Sequence, residues 1–389
     1  MQIAKKTWIT TTFGQVAIQQ KADIDRESEK VDRYVAGEHM ASEDLHIRQW
    51  GAYNGQYLGP AFRRKFEKSD ILYGSRRTYL KKVAVAEFDG ITANTTFVIK
   101  PSKKIVPGLL PFLMLSDSFT EHSIKHSKGS VNPYINWKDI ANFTFQLPAK
   151  VDEQMRIANL LWGIDDAIEK KKILLEKAKQ LFKTIVEKNV IEAIGKKILL
   201  RDIASKSVGS FVDGDWIESK DQSDDGIRLL QLADIGVNEF LDKSRRYISE
   251  GTFKRLNCFE VLPGDILLAR MPDPIGRACI VPDIGSKMIT AVDCCVIRID
   301  EKLHNRLYWV YLFNSDFMKR KMEALASGTT RKRISRSNLE TMQVVCHDKK
   351  DQDRIIHGLT NLTKNIDAIS EDVNLQKQIQ KQIINQIFG

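Results

Sequence analysis

The sequence predicts an α+β protein built by tandem duplication: a mixed α/β region, a long helix, then the same pair again. Three observations carry this. Short segments recur in one order at a nearly constant offset, apolar runs rich in Val, Ile and Phe alternate with Gly and Pro, and two long proline-free stretches hold a heptad pattern. The 389 residues suffice for two or three domains with cores of their own. With 42% hydrophobic and 28% charged residues, the composition excludes a mainly disordered or collagen-like chain.

The duplication rests on four collinear matches. Ser69-Asp70-Ile71-Leu72-Tyr73 returns as Gly264-Asp265-Ile266-Leu267-Leu268, an offset of 195. Residues 91–99 return as 289–297, offset 198, and Ser127-Lys128-Gly129-Ser130 with Ile135 returns as Ala326-Ser327-Gly328-Thr329 with Ile334, offset 199. Glu153-Gln154 with Ile157 returns as Asp351-Gln352 with Ile355, offset 198. Within the mixed regions, 83–86, 96–99 and 143–147 read as strands, as do 278–281 and 342–345 in the second copy. Segments 109–119 and 307–325 read as helices.

A long helix then closes each copy. In the first, Ile157, Leu161, Ile164, Ile168, Leu175, Ala178, Phe182 and Ile185 keep one 4-3 register, interrupted by Lys171. In the second, Ile355, Leu359, Leu362, Ile366, Ile369, Val373, Ile383 and Ile387 keep the same register shifted by 198, with Gln376 and Gln380 as its polar positions. A sustained 3.5-residue period is a stripe that must pair with another helix. Some 35–40 helical residues span roughly 50–60 Å. Pairing the two stripes antiparallel, as a coiled coil that spaces the globular regions and docks partners, buries both.

The charge balance, 60 Lys and Arg against 50 Asp and Glu, gives a net +10 that permits a polyanionic partner without establishing one. No run of 18 apolar residues offers a membrane span, and residues 1–8 lack the apolar run of a signal peptide, so a cytoplasmic protein is expected. The five cysteines, Cys258, Cys279, Cys294, Cys295 and Cys346, are odd in number and form no CxxC, which reads as reduced, buried thiols rather than disulfides or a zinc site. No phosphate-binding, dinucleotide, zinc-protease or hydrolase motif occurs, so no catalytic residue, metal ligand or cofactor is expected in this chain. His122 and His126 read as a surface pair. Asn132-Pro133-Tyr134 lacks the second proline of an adenine-methyltransferase loop and has no glycine-rich cofactor loop before it. Glu218-Ser219-Lys220 has the form of a nuclease core but no upstream Pro-Asp partner.

What accumulates instead is cations with aromatic and hydroxyl side chains. Arg63, Arg64, Lys65, Lys68, Arg76, Arg77, Lys81 and Lys82 interleave with Tyr73 and Tyr79. Ser327-Gly328-Thr329-Thr330-Arg331-Lys332-Arg333-Ile334-Ser335-Arg336 concentrates four cations in the second copy. Such runs are most often solvated loops, but their matched positions in a duplicated unit point towards DNA, where Arg reads guanine and Lys, Ser and Thr hold phosphates. The candidate DNA-binding residues are Arg63, Arg64, Arg76, Arg77, Tyr79, Lys128, Ser130 and Asn132 in the first copy. In the second they are Arg270, Thr329, Thr330, Arg331, Lys332, Arg333 and Arg336.

This pattern resembles the specificity (S) subunit of type I restriction-modification enzymes, the HsdS family. The resemblance is carried by Gly264-Asp265-Ile266-Leu267-Leu268-Ala269-Arg270 with Gly276 and Ala278, and by Ser69-Asp70-Ile71-Leu72-Tyr73 with Arg76 and Arg77. The loop at 327–330 with Ile334 and Leu339, and the entry into the first long helix through Pro148, Glu153-Gln154 and Ile157, also match. The second copy departs in carrying His347-Asp348 where the family has proline, and Asp351 for the glutamate. The resemblance implies target-recognition domains at 1–150 and 195–348, with spacer helices at 151–194 and 349–389. It also implies that each domain reads one half of an asymmetric, bipartite DNA target. The chain itself would be non-catalytic and required for both methylation and restriction. Its implied partners are two methyltransferase subunits using S-adenosylmethionine and nuclease-translocase subunits using ATP and Mg, together serving phage defence. On the residues alone two other classes stay open: a duplicated coiled-coil scaffold that binds no DNA, and a diverged DNA-modifying enzyme.

Overall fold

The apolar runs around Ile71 and Ile266 become the central strands of two sheets with the same topology. The computed structural model describes residues 5, 7–25, 31–53, 58–188, 195–206, 210–272, 274–329 and 331–389. The chain divides into two compact units, one comprising Met1–Ile173 with Ser370–Gly389 and the other Leu174–Ile369. In unit 1, Ile71–Gly74 pairs antiparallel with Thr96–Pro101 on one side (Ile71 opposite Ile99) and Val83–Val85 on the other (Ile71 opposite Val85). Ala17–Gln20 adds to Thr96–Pro101. In unit 2, Ile266–Ala269 lies between Cys294–Ile297 and Ala278–Ile280, and Phe211–Asp213 completes the sheet.

Each unit holds a second four-stranded sheet around a parallel pair: Arg33–Val35 with Gly90–Ala93 in unit 1, Ile227–Leu230 with Met288–Thr290 in unit 2. A two-stranded antiparallel ribbon joins the start of each copy to its end, Trp8–Thr12 with Thr144–Pro148 and Lys196–Leu199 with Gln343–Cys346. Successive residues of a strand face opposite ways. Ile266 and Leu268 enter the main core of unit 2, while Leu267 and Ala269 enter a second core on the other side. Ile71 and Tyr73 against Leu72 repeat the arrangement in unit 1. A strand covered on both faces needs an unbroken apolar run, and this is why these segments do not alternate.

The helices expected at 109–119 and 307–325 are each broken in two. Leu110–Leu115 and Asp117–Lys125 are separated at Ser116, and Arg306–Phe313 and Asp316–Leu325 at Asn314-Ser315. Ser116 and Ser315 have extended backbones and accept from the backbone N–H groups of Phe119 and Met318, so each serine starts a new, more polar helix just after an apolar run ends at Leu115 or Phe313.

The long helices run Val151–Val186 and Lys349–Phe388. Of the register positions, Leu161, Ile168, Leu175, Leu359 and Val373 are buried, and Ile157, Ile164, Phe182, Ile355, Leu362, Ile366 and Ile369 half-buried. Within unit 1 the two helix segments are antiparallel. Gln380 reaches the carbonyl of Leu161 (3.5 Å) and the carboxylate of Asp165 (3.3 Å), and Lys171 pairs with Asp372. Within unit 2, Phe182, Ile185 and Val186 share a core with Ile355, Ile356 and Leu359.

Buried Gln154 explains the repeated acidic-Gln motif at the start of each helix. It donates to the carbonyl of Pro148 (2.9 Å) and accepts from the backbone N–H of Val106 (2.9 Å). Gln352 does the same between the carbonyl of His347 (2.7 Å) and the N–H of Asn305 (2.8 Å). Only the carbonyl at the strand end is used, so histidine serves there as well as proline. All five cysteines are free and buried. Burial raises Cys258 and Cys346 to about 11 and Cys279 and Cys294 to about 12, the range of inert thiols. Among the described residues, no helix is long and apolar enough to cross a membrane.

Candidate nucleic-acid interface

The first sheet of unit 1 ends in a set of turns stitched together by their backbones. Ser75 donates its N–H to Thr95 O (3.0 Å) and accepts from Ile135 N (2.9 Å). Arg77 N donates to Pro133 O (2.7 Å), and Lys128 and Tyr134 exchange both backbone bonds at 2.8 and 2.9 Å. Segments 75–79 and 127–135 therefore form one surface, supported from below by the buried Tyr73 hydroxyl donating to Ser123 (3.2 Å). Arg76, Arg77, Tyr79, Ser130, Val131, Asn132 and Tyr134 are exposed on it. Arg76 and Arg77 have no salt bridge among the described residues. Lys128 lies 3.7 Å from Asp139.

Unit 2 repeats four of these five bonds. Arg270 N donates to Asp293 O (3.0 Å) and Ile334 N to Arg270 O (3.0 Å), and Ser327 and Arg333 exchange bonds at 3.0 and 2.8 Å. Gly129 and Gly328 occupy matching places with φ of +90° and +112°, a left-handed backbone that side chains resist, so each tight hairpin needs its glycine. On this hairpin Thr329, Arg331 and Lys332 are exposed. Thr330 lies outside the described residues.

The equivalence corrects Arg270. It stands where unit 1 has Ser75, is only 5% exposed, donates to the carbonyls of Ile334 (3.0 Å) and Val292 (3.3 Å), and pairs with Asp213. It braces the frame from inside and does not reach the surface. Arg333 is partly exposed, and donates to Val292 O at 2.8 Å with Asp293 3.9 Å away. Arg336 pairs with Glu340 at 3.3 Å along its own short helix. Arg63 and Arg64 sit on strand Phe62–Phe66 of the other sheet and share Asp23 at 3.2 and 3.3 Å. Lys81 is engaged by Glu43 and Asp117, and Lys82 by the carbonyl of Gly37. Glu218 and Lys220 pair with each other at 2.8 Å.

The sequence reading missed Trp216, which is 69% exposed. Gly214 N donates to Cys294 O (3.0 Å) and Asp215 N to Thr290 O (2.8 Å), which delivers Trp216 beside the 291–293 turn. A Cβ at Gly214 would lie 2.2 Å from the Ala291 carbonyl, so this approach requires glycine. The result is a cleft of about 400 Å³ lined by Trp216, Gln231, Met271, Asp293, Arg331 and Arg333, among others. Burial raises the Asp215 carboxyl at its edge to about 6. One tryptophan in an acidic stretch carries no periodic signal, and only the fold brings it to the basic hairpin.

Two copies of one loop frame, each presenting cations and polar side chains beyond the ends of interior strands, have the form of a duplicated nucleic-acid reader. The chain belongs to the type I restriction modification DNA specificity domain family, whose model matches residues 7–177 and again 183–381. It is similar to the type I restriction enzyme MjaVIII specificity subunit of Methanocaldococcus jannaschii, with 22% identity over 313 residues covering 76% of this chain and 73% of that protein. Its fold is similar to a chain from a structure addressing complex assembly and conformational transition of the type I R-M system (TM-score 0.66, 17% identity, 98% and 97% of the two chains). The HsdS subunit from Thermoanaerobacter tengcongensis aligns with a TM-score of 0.51 at 18% identity over 98% and 97%. The protein is thus a DNA specificity subunit of a type I restriction-modification system, and its part is recognition rather than catalysis. That excludes both the DNA-free scaffold and the diverged enzyme.

Proposed function

We propose that each unit reads one half of a split, asymmetric DNA target, with the paired helices as the strut between readers and the docking surface for two methyltransferase subunits. The observation that carries this is the shared loop frame with different side chains: Arg76, Arg77, Tyr79 and Asn132 in one copy, Thr329, Arg331 and Lys332 in the other. A common frame fixes how DNA is approached, and unlike side chains on it read unlike bases. The partners supply the chemistry: S-adenosylmethionine for adenine methylation, and ATP with Mg in nuclease-translocase subunits. The complex acts in the cytoplasm, in defence against phage DNA. Footprinting of the assembled methyltransferase complex tests this. Two protected patches separated by a fixed unspecified stretch are expected, and one continuous patch contradicts the reading.

A further inference from the structure

The cleft beside Trp216 sets an exposed indole against polar and charged side chains. An exposed indole on a DNA-facing surface leaves a large apolar face in water, and Met271 and Ile217 extend that face into the recess. Arg333 faces the same recess, but its guanidinium is held by the Val292 carbonyl and lies near Asp293. Arg331 is exposed at the rim, where a cation meets phosphate. The Gln231 amide also lines the recess, beside the carboxylates of Asp215 and Asp293, and an amide can bond a base edge. In the major groove a thymine shows a methyl group, and its partner adenine shows the N6 and N7 pair that an amide matches with two hydrogen bonds.

We propose that this cleft makes unit 2 select an A·T pair, with Trp216, Met271 and Ile217 covering the thymine methyl and Gln231 bonding the adenine edge. The inference rests on the reading that each unit recognises half of a split target. It assigns specificity to Trp216 and Gln231 and makes Arg270 and Arg333 the supports of the wall behind them. Gly214 and the Asp215–Ala291 bridge hold the indole in place, so the pocket is preformed.

The test uses the complex with its methyltransferase subunits, methylating a randomised DNA library that is then sequenced. Wild type should give a split motif. Trp216→Ala and Gln231→Ala should each relax the same A·T position in one half, losing between about 5- and 150-fold of discrimination there. The other half should stay intact, and Trp216→Phe should restore the preference. With wild-type protein, replacing that thymine by uracil, which lacks only the methyl, should weaken methylation of the site. That arm stands even where a variant fails to assemble. An unchanged motif in both alanine variants overturns the proposal, as does relaxation at a G·C pair or indifference to uracil. A wild-type complex that yields no split motif overturns the underlying reading as well.

Discussion

Arg270 is buried and donates two hydrogen bonds to backbone carbonyls, with the partly exposed Asp213 as its counter-charge, so its removal leaves two carbonyls without their donor and Asp213 without its cation. With Asp213 one-third exposed, the cost falls below the about 3–5 kcal/mol of a fully buried pair. Arg270→Ala should accordingly lower the urea midpoint of unfolding. Arg331→Ala, at an exposed position, should leave it within about 0.5 kcal/mol. Equal effects from the two would contradict the assignment of inward and outward roles. Arg76 is outward-facing in unit 1, with only its backbone tied down through Tyr134. Arg76→Ala should therefore preserve stability and lower the slope of log affinity against log salt by about 1, as loss of one phosphate contact requires. An unchanged salt slope would remove Arg76 from the interface. Arg76 lies in a run of cations, whereas Arg270 directly follows the apolar run Ile266–Ala269. Its depth is set when that strand is sandwiched between two cores.

The long helices are fastened to unit 1 by ionic groups as well as by apolar contact. Arg48 holds Glu169 at 2.8 Å, Glu43 holds Lys381 at 2.9 Å, and His46 bridges Asp165 (2.8 Å) and Glu87 (3.3 Å). The hydrogen bond that His46 donates to the Asp165 carboxylate is the largest cause that raises His46 to about 9. A folded-state value above the unfolded one means that the protonated form is stabilised. The contribution is full below about pH 6.5 and disappears as pH rises through about 9, worth up to ~3 kcal/mol. Unit 1 should lose stability across that window in denaturant titrations, and His46→Gln should flatten the curve. A curve of the same slope in the variant would contradict it. At this scale the sequence foretold the two long helices, the strands at 83–86 and 96–99 in unit 1 and 278–281 in unit 2, and the ribbon strands at 143–147 and 342–345, because heptad spacing and unbroken apolar runs are strong signals. It did not foretell the breaks at Ser116 and Ser315, where a serine followed by aspartate caps a new helix inside a segment read as one. Nor did it show strands as short and charged as Arg33–Val35 and Phe62–Phe66, which are defined by their partners rather than by their own pattern.

For the whole molecule, duplication is the organising fact. The offsets of 195, 198 and 199 residues in the sequence become matching hydrogen bonds, Ser75 to Ile135 and Arg270 to Ile334. Repeats are detectable where the frame is shared, whereas the side chains exposed on it differ between copies and repeat nothing. This is why the surface around Trp216 stayed hidden while the frame beneath it did not. If the helix pair is the strut, one heptad inserted in both helices adds about 10 Å and should lengthen the unspecified spacer by roughly three base pairs. An unchanged spacer would remove the strut from the account. The measurement to make before any other is long-read sequencing of adenine methylation in host DNA with and without this gene. Loss, on deletion, of methylation at one split motif with a fixed spacer is the expected result. A methylation pattern that does not depend on the gene, in cells shown to make the methyltransferase partners, would contradict the account.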